Sequence, residues 1–148
     1  MFDWLANPNR FKKITNKLEP SLLVISLLFI IFGLYFSLFD SPKDYQQGDA
    51  VRIMYVHVPS AWLASFLYLS LAVSSIFYLV WKHPLADLIS SSIAPIGALF
   101  SILTLITGSL WGKPMWGTWW VWDARLTSVA ILFIIYLIII FMNLSFEN

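Results

Sequence analysis

Four apolar stretches, each about as long as a hydrocarbon core is thick, lie within 148 residues: Ser21–Phe39, Ala61–Trp81, Ile89–Leu110 and Leu126–Leu144. A membrane-crossing helix needs roughly 20 predominantly apolar residues, and none of the four stretches contains an acidic or basic residue. A soluble chain of this size could not cover four such helices with the polar surface left over. The composition agrees: 59% apolar and 11% charged, with a mean hydropathy of +0.78, against about a quarter charged in soluble domains. The expected fold is an all-α membrane protein of four transmembrane helices, a single membrane domain over residues 1–148. The first stretch is too long for the apolar core of a secretory signal, and SLFDSPKD after it offers no small-residue cleavage pattern; it reads as a retained span.

Four of the nine Lys and Arg (Arg10, Lys12, Lys13 and Lys17) precede the first span, the usual mark of a cytoplasmic tail. This places the tail (residues 1–20) and both termini in the cytoplasm, together with the Lys82–Asp87 turn. The loop over residues 40–60 and the loop over residues 111–125 then face outward together. The net charge of +1 argues against a nucleic-acid surface. Without acidic or basic groups inside the spans, an ion or proton pathway is not supported. No phosphate-binding loop, nucleophile–base pair or carboxylate pair is present, so the chain does not read as an enzyme.

The second outward loop holds the densest chemistry. Five of the eight tryptophans fall within twelve residues: Trp111, Trp116, Trp119, Trp120 and Trp122. Interfacial belts use Trp as helix anchors, which suits Trp62 and Trp81, but five rings in one loop exceed any anchoring need. Trp116, Trp119 and Trp120 stand at i, i+3 and i+4, so a short interfacial helix would put them on one face as a stacking platform. In the first outward loop, His57 precedes Pro59, which suits the first turn of the second span. The chain has no cysteine, which removes thiolate metal sites and thioether chemistry and makes His57 the one strong axial-type ligand on the outer side. His83, on the opposite face, reads as a solvated turn residue. Asp123 can cap the fourth span, and Arg125, Lys113 or Arg52 can meet an anionic group on a ligand. A flat apolar ring system, an imidazole for its metal and cations for its carboxylates describe haem. Two alternatives stay open: an aromatic cage for a small cationic ligand, and a truncated scaffold without haem-delivery activity.

The stretch TGSLWGKPMWGTWWVWDARLTS (Thr107–Ser128), with DYQQGDAVRIMYVHVPSAW (Asp44–Trp62) and APIGALF (Ala94–Phe100) upstream, closely resembles the tryptophan-rich haem exporter protein C family (CcmC) of cytochrome c maturation. The resemblance runs from about Asp40 to Ser128. It implies a protein of the bacterial inner membrane that binds haem at the periplasmic face and transports or delivers it for c-type cytochrome biogenesis. It further implies that His57 is an axial ligand of the haem iron and that the signature around Trp111, Trp116, Trp119, Trp120, Trp122, Asp123 and Arg125 contacts the ring. The implied partners are the periplasmic haem chaperone CcmE, the ABC-type subunits CcmA and CcmB, and the small membrane protein CcmD. The family usually has six spans and a later periplasmic histidine. With four spans and no outward histidine after Trp122, the chain reads as C-terminally short.

Overall fold

The computed structural model describes residues 7–146 as four long helices. The expected cytoplasmic placement of Met1 and Asn148 lies outside the described residues. Helix α1 spans Pro8–Tyr35 and runs into a π-helical turn, Phe36–Asp40; α2 spans Val51–Trp81, α3 Pro84–Trp116 and α4 Ala124–Phe146. All four are long and apolar enough to cross a membrane. No strand forms among the described residues.

Each helix is longer than its apolar stretch, and at several ends a cap or turn rather than hydropathy sets the limit. Asn7 starts α1, its Oδ1 accepting from the amides of Asn9 and Arg10 at 3.0 and 3.4 Å, with Pro8 in the first turn. The basic segment expected as a tail before Ser21 is therefore already helical. Between α2 and α3 the chain reverses in two residues. Lys82 takes a left-handed φ of 52°, its amide donating to the Tyr78 carbonyl at 2.8 Å, and Pro84 opens α3. Gly117, at φ 78°, closes α3 by donating to the Lys113 carbonyl at 3.0 Å, the left-handed cap that favours glycine.

The largest departure from the sequence reading is the start of α2. Its helix begins ten residues before the apolar stretch at Ala61, so Pro59 is in the helix interior and not in its first turn. A proline there deletes one main-chain bond and is tolerated where neighbouring groups compensate; the Ser60 hydroxyl donates to the Val56 carbonyl at 2.7 Å beside it. About half of the expected 40–60 loop is thus helical. The remainder is a compact turn in which Asp44 Oδ1 accepts from the amides of Gln46 and Gln47, and Gly48 bonds back to Asp44.

The packed unit is α2, α3 and α4. Its centre is α3, whose buried residues Ala94, Gly97, Ala98, Ser101, Thr104, Gly108 and Gly112 form one stripe at helical spacing. Small side chains let neighbouring backbones approach closely, which is how helices pack when lipid removes the hydrophobic drive. Tyr136 of α4 is wholly buried against this stripe with Leu71, Ala94 and Ala98, and its hydroxyl donates to the Ala64 carbonyl of α2 at 3.3 Å. A Cβ on Gly97 would overlap the Tyr136 ring. By contrast, none of the described side chains of α1 is buried.

Candidate functional site

At the end of the bundle where α3 stops and α4 starts, the three packed helices line a cavity of about 380 Å³. Helix α2 contributes Met54, His57 and Ala61, which share a face by their spacing of three and four. Helix α3 contributes Thr104, Leu105, Gly108 and Trp111, with Trp116 at its last turn; the opening of α4 adds Asp123, Arg125, Leu126 and Val129. The volume is within the range of small-molecule sites, and the lining is apolar with a few convergent polar groups, as such sites usually are.

His57 is the seventh residue of α2, about 9 Å along the axis from its first residue at 1.5 Å per residue. The sequence reading put it at the helix's outer end; the earlier start of α2 sets it deeper, in the cavity wall. Its Nδ1 lies 3.0 Å from Thr107 Oγ1 on α3. Gly108, one residue on, makes the approach possible: a Cβ there would sit 3.0 Å from His57 Cε1.

Trp111 and Trp116 form the aromatic wall, edge to face with centroids 5.1 Å apart. Trp111 is fixed from outside by Gln47, whose Oε1 accepts from its Nε1 at 2.9 Å. Gln47 therefore holds a wall of the cavity without lining it. The guanidinium of Arg125 lies 5.4 Å from the Trp116 ring centroid and donates from Nε and Nη2 to Asp123 Oδ2 at 3.1 and 2.8 Å. Asp123 Oδ1 accepts from the Leu126 amide at 2.9 Å and the Asp123 carbonyl from the Thr127 amide at 3.1 Å, so Asp123 caps α4 as expected. The Leu126 amide first, and then Arg125, hold its carboxyl below the ordinary carboxylate range.

The remaining tryptophans do not join this wall. Gly117 ends α3 after Trp116, and residues 117–123 form bends and irregular chain, so the short helix expected to align Trp116, Trp119 and Trp120 does not form. Glycine at a left-handed φ stops the helix before the i+3 and i+4 rings can share its face. Trp119 packs under Lys113 Nζ, 5.8 Å from its ring centroid. Trp120 and Trp122 meet edge to face at 5.4 Å, with Trp122 81% exposed. Lys113 also donates to the Gly117 carbonyl at 3.0 Å, and Arg52 donates to the carbonyls of Leu38 and Ser41 at 3.0 and 3.2 Å, tying the π-turn to α2. Of the three candidate cations, Arg125 alone lines the cavity. His83 stands at the other end of the bundle, before Pro84.

Thr107, Gly108 and Gln47 are site residues that the sequence reading does not single out as such. The signal for one of them is present: Gly108 and Gly112 are spaced as GxxxG in an apolar helix, a mark of close backbone approach.

Fold and site together define a multi-pass helical membrane protein with a histidine-bearing, tryptophan-walled cavity at one end of the bundle. Comparison with known proteins narrows the class. The family model described as CcmC, Heme exporter protein C, matches residues 1–148, and the chain belongs to that family. It is 53% identical over 133 residues to Heme exporter protein C of Bradyrhizobium diazoefficiens, covering 90% of this chain and 50% of the relative. It is 44% identical over 144 residues to Heme exporter protein C of Escherichia coli K12, covering 97% of this chain and 59% of the relative. A putative cytochrome c biosynthesis ccmC-like mitochondrial protein of Marchantia polymorpha is 59% identical over 105 residues, 71% of this chain and 46% of the relative. The chain thus spans between about half and three-fifths of the length of these bacterial relatives.

Proposed function

We propose that this chain binds haem as cargo in the cavity between α2, α3 and α4, with His57 as an axial ligand to the iron and Trp111 and Trp116 as the apolar wall that holds the macrocycle. The carrying observation is the convergence of an imidazole from α2, two tryptophans from α3 and an arginine from α4 on one apolar cavity. Among the described residues no three His, Cys, Asp or Glu side chains come together as a metal site. A bare ion needs several protein ligands, whereas an iron already held in a macrocycle needs only its axial positions filled. Arg125 spends Nε and Nη2 on Asp123, which leaves Nη1 to meet a haem carboxylate.

The cation-cage reading has less support. Arg125 already stands over Trp116 and Lys113 over Trp119, so a quaternary ammonium would compete with resident cations of like charge for those faces.

In the cell, the reading places the cavity at the periplasmic face of the bacterial inner membrane with both termini cytoplasmic. Haem collected there is delivered to the chaperone CcmE, alongside CcmA, CcmB and CcmD, for c-type cytochrome assembly. The test is the absorption spectrum of haem co-purified with wild type, His57→Ala and His83→Ala. His57→Ala is expected to lower haem content and move the Soret band, with free imidazole partly restoring it, while His83→Ala changes neither. A wild-type spectrum from His57→Ala overturns the proposal.

A further inference from the structure

The contact between His57 and Thr107 has a direction that the surrounding bonds decide. A threonine hydroxyl carries one proton. That of Thr107 lies 2.6 Å from the Leu103 carbonyl one turn back and 3.4 Å from the Thr104 carbonyl, so it is donated to the main chain of α3. Only lone pairs of Oγ1 are left to face His57 Nδ1 at 3.0 Å. The imidazole must therefore be the donor, with its proton on Nδ1 and the in-plane lone pair on Nε2. Gly108 completes the arrangement by letting the Cε1–Nδ1 edge lie against α3.

We propose that Thr107 is a positioning residue that selects the tautomer and orientation of His57, presenting Nε2 as the metal-binding nitrogen. Thr107 does not line the cavity, so it acts through the imidazole and not by touching the cargo. The inference rests on the reading of His57 as the axial ligand and specifies how that ligand is prepared. A histidine ligand whose second nitrogen donates to an oxygen is oriented and made a better electron donor, and loss of such an outer partner typically weakens metal binding 10- to 100-fold. A better donor favours the ferric over the ferrous state, so losing the bond should raise the reduction potential.

The experiment compares wild type, Thr107→Val, Thr107→Ser and His57→Ala in the full-length membrane protein, reading haem affinity by titration and the midpoint potential of bound haem. Thr107→Val keeps the shape and removes the acceptor; it should weaken haem binding by about tenfold or more and move the potential upward. Thr107→Ser restores the acceptor and should recover both values. Wild-type affinity and potential in Thr107→Val, with His57→Ala still altered, overturn the role of Thr107 while leaving the ligand reading standing. An unaltered His57→Ala overturns the ligand reading and this inference with it. A direct measurement stands apart from how any Thr107 variant folds. Nitrogen-15 NMR of haem-free protein, with His83→Gln to leave one histidine, should show His57 protonated at Nδ1 and bare at Nε2. Protonation at Nε2 overturns the proposal.

Discussion

At the residue scale, two glycines of α3 are decided by what stands opposite them. Gly97 faces Tyr136 and Gly108 faces His57, so the same kind of residue serves packing at one level and the cavity at another. Gly97→Ala would force the buried Tyr136 ring to move; overpacking of this kind costs about 1–3 kcal/mol. The expected outcome is a lowered midpoint of thermal or detergent unfolding, with Tyr136→Phe milder by comparison, since one interhelical hydrogen bond in a bilayer averages about 0.6 kcal/mol. Gly108→Ala should act differently. Its methyl group would press on the edge of the His57 imidazole, so haem retention should fall and the Soret band shift while the unfolding midpoint changes little. Equal loss of stability in the two variants would contradict this division of roles.

Helix termini carry the predictions at the scale of elements. The start of α4 depends on Asp123, which accepts from the Leu126 amide and pairs with Arg125. Because these partners depress its folded pKa, their stabilisation is complete above the ordinary carboxylate pKa of about 4. It is lost as the pH falls through the lower folded value. Acid titration of tryptophan fluorescence should therefore show a transition below about pH 4 that Asp123→Asn lacks, since the amide keeps a capping oxygen without a titrating charge. The end of α3 depends instead on Gly117 at φ 78°. Gly117→Ala should cost about 1 kcal/mol for placing a Cβ in the left-handed region and should disturb the Trp111–Trp116 wall, read as a change in haem content.

For the whole molecule, α2 and α4 pack on the small-residue stripe of α3, while none of the described side chains of α1 is buried. The topology proposal is testable directly, because the chain contains no cysteine. A single Thr118→Cys should react with a membrane-impermeant maleimide from the periplasmic side of intact cells. Reaction only after the cytoplasmic side is opened would reverse the proposed orientation and remove the cavity from the periplasmic face.

The four helices were legible from the sequence because hydrophobic length and the scarcity of charge are local properties that a bilayer reads directly. The Asp123 cap was legible too, since an acid just before an apolar run acts on amides two or three residues away. Which tryptophans share a site was not. Spacing grouped Trp116 with Trp119 and Trp120, but Gly117 breaks the helix between them, and the wall pairs Trp116 with Trp111, five residues earlier on α3. The depth of His57 depended on a helix start that hydropathy does not mark. Its hydrogen bond joins residues fifty positions apart, and no local signal specifies such a contact. The sequence by itself determined a tryptophan-rich membrane protein with four helices long enough to span a bilayer. Only the packing of α2 and α4 onto the glycine stripe of α3 decided which residues meet, because the contacts that build the cavity exist only where three helices come together.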